Sequence, residues 1–163
     1  YKAATDMLAK VRKDVRLFSS TMIDDIAGGK ACVAIGWSGD INIAADRAKE
    51  NKSTDEIVSM LPSTGALIFF DTMAITKDAK HPNNAMAFMD FYLRAENAAK
   101  MSNEMNYPTA NKAAMAQIKP EIANNKTIFV DSAYMSKMIA PSSFTNEARE
   151  ALANAYNTFK KGK

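Results

Sequence analysis

Ala31-Cys32-Val33-Ala34-Ile35-Gly36-Trp37-Ser38-Gly39-Asp40 joins an apolar, β-branched run to a glycine-flanked tryptophan and then to an acid. Residues 31–37 read as a buried strand, and Asp40 opens a helix to about residue 51 that carries Ile41, Ala44, Ala45 and Ala48 on one face. Gly36 and Gly39 permit a tight turn at the junction, which would bring ring and carboxylate to one mouth. The construction returns in 66–75, a second strand-like run that contains Phe69-Phe70-Asp71. Side chains alternate across a strand, so Phe69 and Asp71 share one face while Phe70 and Thr72 take the other. Strand ends are where α/β proteins hold ligands.

Outward from these two motifs, helical and extended segments alternate in the first half of the chain and helices dominate the second. Ala4, Met7, Leu8 and Val11 trace an opening helix, residues 15–19 are extended, and Thr21 can cap a brief helix that Gly28-Gly29 ends. Residues 57–61 read as a strand closed by Pro62, with turn chemistry in Pro62-Ser63-Thr64-Gly65. Pro82 starts a helix marked by Ala85, Phe88, Met89 and Tyr92, and a second helical segment covers about 96–104 before Tyr107-Pro108. A short helix is expected over 111–118 and mainly loop over 123–132. Thr145 caps the last helix, whose apolar face is Ala148, Leu152, Ala155, Tyr156 and Phe159. The fold class expected is α/β, with a small mixed sheet and flanking helices.

Aromatic faces attract cations and carboxylates pair with them, so two aromatic–acid pairs facing one crevice suit a ligand with ammonium groups and an alkyl body. The second pair is the stronger on physical grounds. Asp71 sits in an otherwise apolar run, where an unpaired carboxylate costs several kcal/mol, by rough estimate, unless it meets a cation or opens to a cleft. A lysine or arginine of this chain is the competing partner. Asp40 reads equally well as a helix cap or first-turn acid, and Ser38 competes with it for capping. Trp37 at a glycine-flanked strand exit would be partly open.

Catalysis fits less well. The one histidine, His81, stands just before Pro82 as a helix-start loop residue, and with one cysteine the chain offers neither a His/Cys metal cluster nor a triad. Gly28-Gly29-Lys30 lacks P-loop spacing, and no cofactor motif is present. Asp40 and Asp71 as an acid–base pair of an α/β enzyme fragment remain the alternative, with a structural or interaction domain as a third reading. Cys32 reads as a small buried hydrophobe, or else as half of a disulfide. The eleven methionines read as core filler, and Asn51-Lys52-Ser53 and Asn125-Lys126-Thr127 match a glycosylation pattern that is common by chance.

The 163 residues suffice for a core, and 47% hydrophobic with 24% charged residues is ordinary for a globular chain. A net charge of +3 without a basic, aromatic-interleaved stripe argues against a nucleic-acid partner. The longest apolar runs fall well short of the ~20 residues of a membrane span. Tyr1-Lys2-Ala3, entering a helix at once and without a leader, reads as the start of a piece cut from a longer protein.

The chain resembles the periplasmic polyamine-binding proteins of bacterial ABC importers, the putrescine and spermidine binders above all. The resemblance rests on the 31–40 block, on Gly65-Ala66-Leu67-Ile68-Phe69-Phe70-Asp71, and on Tyr107-Pro108-Thr109-Ala110-Asn111-Lys112-Ala113-Ala114. It implies a two-lobed type II binding-protein fold that captures a linear polyamine in the periplasm and docks on a membrane permease. Trp37, Phe69 and Tyr107 would then contact methylenes and ammonium groups, and Asp40 and Asp71 would neutralise the charge. Pro108 departs from the small residue expected after the tyrosine, and a Tyr-Pro pair by itself reads as a helix stop. The resemblance covers only the carboxyl-terminal half of such a protein: residues 1–65 would belong to the second lobe, 66–76 would be a strand crossing between lobes, and 77–163 a helical region packing on the first lobe and hinge. The missing amino-terminal half would be a partner, and Cys32 falls where some members use a disulfide to an earlier cysteine. The isolated chain is therefore expected not to close on ligand.

Overall fold

The computed structural model describes residues 2–141 and 143–162. In chain order its helices are α1 (Lys2–Val11), α2 (Met22–Ala27), α3 (Ser38–Glu50), α4 (Pro82–Leu93), α5 (Ala95–Met105), α6 (Pro120–Ala123), α7 (Ser132–Met135) and α8 (Asn146–Lys161), with 3-10 turns at Arg12–Asp14 and Lys112–Gln117. The small mixed sheet expected from the sequence is not found among the described residues. The chain is 53% helical and 1% strand, with no sheet among the described residues. Residues 31–37, 57–61 and 66–75, expected as strands, form none: the described residues supply them no ladder beyond one isolated parallel bridge between Leu67 and Ile139. Val33 and Ile35, read as buried, are 86% and 99% exposed. Cys32 is exposed and unpaired, which overturns its reading as a buried hydrophobe. The pattern of a strand reports backbone shape and apolar faces, whereas a sheet also needs a neighbour to satisfy each N–H and C=O.

The chain forms two compact units, one made of the two chain ends, up to Thr21 and from Pro141 onward, and the other of Met22–Ala140. In the first, α1 lies on α8. Arg12 donates from Nε to the carbonyl of Phe159 and from Nη2 to that of Lys160, both at 2.8 Å, and so satisfies the open C-terminal end of α8. Its guanidinium stands 5.1 Å from the Phe18 ring centroid, and Phe18 meets Phe159 edge-on at 5.5 Å. Thr145 caps α8 by accepting from the N–H of Ala148, and Gly162 ends it at φ 71°.

In the second unit α2 packs on α3, and Ala44 and Ala48 of the expected apolar face of α3 are buried. A second cluster joins α5 to the 3-10 turn through Ala98, Ala99, Ala114 and Ile118, with Ile122 and Phe129 packed on it. Three buried polar residues that the sequence reading passed over fasten the unit. Asn42 of α3 donates to Thr127 Oγ1 and accepts from Asn125 Nδ2, each at 3.0 Å. The second glycosylation-like triplet is therefore a structural tie. Asn106, in the left-handed region at φ 56° after α5, donates to Asp46 of α3 at 3.1 Å. Ser102 donates to the carbonyl of Tyr107.

Candidate functional site

Trp37 is the last extended residue before α3, at φ −77° and ψ 144°, and takes the N-cap position without a side-chain cap. Trp37 is 47% exposed. Asp40 lies in the first turn of α3, where the free N–H groups and the helix dipole favour a carboxylate. Phe69 and Asp71 stand on the extended segment, two residues apart, with Phe69 49% exposed and Asp71 exposed. Tyr107 follows Asn106, whose left-handed turn redirects the chain out of α5 toward the first turn of α3.

Trp37, Phe69, Asp71 and Tyr107 line one cavity of about 300 Å³, all within the Met22–Ala140 unit. That volume lies at the low end of the ~300–1,000 Å³ of small-ligand pockets. Asp40 is not among the lining residues. It stands behind Tyr107, whose hydroxyl donates to Asp40 Oδ1 at 3.0 Å. Burial, the hydrogen bond to Asp40 and the negative charges of Asp40 and Asp71 push the Tyr107 hydroxyl up to about 12, so it stays a neutral donor at physiological pH. Ser38 does not cap α3, and His81 takes the N-cap position of α4 with Pro82 at the first helical position.

Three aromatic residues and one carboxylate line the cavity. Rings of this kind attract cations electrostatically, and a carboxylate accepts charge-assisted hydrogen bonds from ammonium groups. Among the described residues no group of three or more His, Cys, Asp and Glu side chains could hold a metal ion. No helix among them is long and apolar enough to cross a membrane.

Residues 1–130 match the family of bacterial extracellular solute-binding proteins. The chain belongs to that family. Among its relatives, the putrescine-binding periplasmic protein PotF of Escherichia coli is 40% identical over 136 residues, covering 83% of this chain and 37% of PotF. The putrescine-binding periplasmic protein SpuD of Pseudomonas aeruginosa is 35% identical over 163 residues, covering 99% of this chain and 44% of SpuD. A spermidine/putrescine-binding periplasmic protein of Escherichia coli is 28% identical over 132 residues, covering 80% of this chain and 36% of that protein. The chain thus spans about two fifths of the length of the solute-binding relatives it matches. These relatives are binding proteins by name, not enzymes.

Proposed function

We propose that this chain is part of a periplasmic solute-binding protein that captures a polyamine such as putrescine or spermidine and delivers it to an ABC permease. The observation that carries the reading is the convergence of Trp37, Phe69, Tyr107 and Asp71 on one cavity. In this reading the three rings take the methylenes and one ammonium face, and Asp71 neutralises an ammonium directly. Asp40 acts through the Tyr107 hydroxyl, which it orients. The rest of the longer protein, its amino-terminal part, supplies the opposite wall. Each exposed cation–π contact contributes ~0.5–1 kcal/mol and a desolvated one ~2 kcal/mol. With one wall alone the exposed figures apply, and their sum falls short of the ~8 kcal/mol that micromolar affinity requires.

The test is a thermal-shift screen of the full-length polypeptide against putrescine, cadaverine, spermidine and monoamines of matched length. The reading predicts stabilisation by diamines above monoamines, abolished by Asp71→Ala. Silence across the amines, or equal stabilisation of the variant, would refute it.

A further inference from the structure

The ring of Tyr107 rests against the first turn of α3 at a point where a side chain is missing. A methyl group built on Gly39 would overlap Cε2, Cδ2 and Cζ of that ring, and Gly39 itself is buried. Gly39 has an ordinary helical backbone, outside the left-handed region that demands glycine. In an exposed helix interior alanine would be the better residue. The need for glycine here is therefore the ring and not the backbone.

From the other side, Tyr107 is held through its main chain. Ser102, 3% exposed, donates its hydroxyl to the Tyr107 carbonyl, and Asn106, 5% exposed, holds the preceding turn in the left-handed region while donating to Asp46 of α3. The hydroxyl then reaches Asp40 one residue beyond Gly39. Backbone anchor, ring seat and hydroxyl contact thus fix the phenol at three points. This ring is one of the four side chains lining the cavity.

We propose that Gly39 is a positioning residue for the ligand cavity: its bare backbone seats the Tyr107 ring against α3, with Ser102 and Asn106 anchoring the ring from α5, so that ring face and hydroxyl are preset before ligand arrives. Gly39 touches no ligand in this scheme. The claim that the seat governs affinity rests on the polyamine reading above, whereas the claim that Gly39 seats the ring does not.

The experiment is made on the full-length polypeptide carrying this chain, with Gly39→Ala, Tyr107→Ala and the double variant. Isotope-labelled tyrosine is followed by NMR through an alkaline titration without ligand, the Tyr107 signal being assigned with Tyr107→Phe. Tyr107 titrates near 12 in the parent and moves toward its ordinary value of 10 in Gly39→Ala as the hydroxyl leaves Asp40. Putrescine affinity falls at least tenfold. The Tm loss caused by Gly39→Ala disappears when Tyr107 is already alanine, which gives a result even where the single variant folds poorly. An unmoved Tyr107 titration, or a Tm loss that persists in the double variant, overturns the seating. A moved titration with unchanged putrescine affinity overturns its role in binding. If the parent itself ignores putrescine, the polyamine reading fails, and the titration still decides whether Gly39 seats the ring.

Discussion

Asp40 takes its meaning from its neighbour. As a first-turn acid of α3 it already has a reason to be charged, and the Tyr107 hydroxyl gives it a second partner at 3.0 Å. A hydrogen bond to a charged group contributes about 1.5–3 kcal/mol. Because the folded-state value of Tyr107, about 12, lies above the ordinary 10, the contribution is complete below pH 10 and is lost as pH rises through 12. Chemical denaturation of the wild type against Tyr107→Phe will show a stability difference that is flat below pH 10 and shrinks above it; a difference independent of alkaline pH would contradict the assignment. Trp37, Asp40, Phe69 and Asp71 were singled out from local patterns, aromatic and acid a few residues apart, and Tyr107 through the family resemblance; four of them line one cavity and Asp40 does not. Gly39, Ser102, Asn106 and Asn42 were not singled out as partners. The roles of Gly39, Asn106 and Asn42 arise from contacts between segments tens of residues apart, which no local period records, and Ser102 bonds a carbonyl five residues on, just past the end of its helix.

Elements with local start and stop signals came through the sequence with good bounds. Thr145 caps α8, Pro82 opens α4 and Gly162 closes α8, each by chemistry within one turn. Glu147 lies below the usual carboxylate range because its own N–H and the Thr145 hydroxyl bond to it in the first turn. Thr145→Ala is expected to cost about 1 kcal/mol and to fray α8, read by denaturant midpoint and helical ellipticity. Asn106→Ala must hold alanine in the left-handed region and removes the amide donor to Asp46; a loss of about 2 kcal/mol follows, of which Asn106→Gly recovers the backbone part. Equal losses for both variants would mean that the amide and not the turn matters. The extended segments are the contrasting case. Residues 31–37 and 66–75 have the apolar, β-branched composition of strands, yet pairing depends on a neighbour, and the described residues offer only the Leu67–Ile139 bridge.

Across the whole molecule the buried core is small and rich in alanine: no large side chain is fully buried among the described residues, while Val33, Ile35, Val58, Met60, Leu67 and Phe70 are at least 60% exposed. Burial of a Val, Leu, Ile, Met or Phe side chain stabilises by about 1.5–3 kcal/mol, so this chain forgoes much of what its composition could provide. Large apolar side chains left exposed in this number are what an uncovered interaction face would show. In the proposed account the remainder of the longer protein covers it. The isolated chain is then expected to bind a hydrophobic dye, to unfold over a broad thermal range and to show no micromolar binding of putrescine; a sharp transition with micromolar binding would refute that expectation. The central claim is that Asp71, among the rings of Trp37, Phe69 and Tyr107, pairs with an ammonium of the ligand. Its most direct test is calorimetric titration of putrescine into the full-length polypeptide and into its Asp71→Ala variant. The account predicts micromolar binding weakened at least tenfold, about 1.4 kcal/mol, by the substitution. Equal affinity in the two proteins would contradict it.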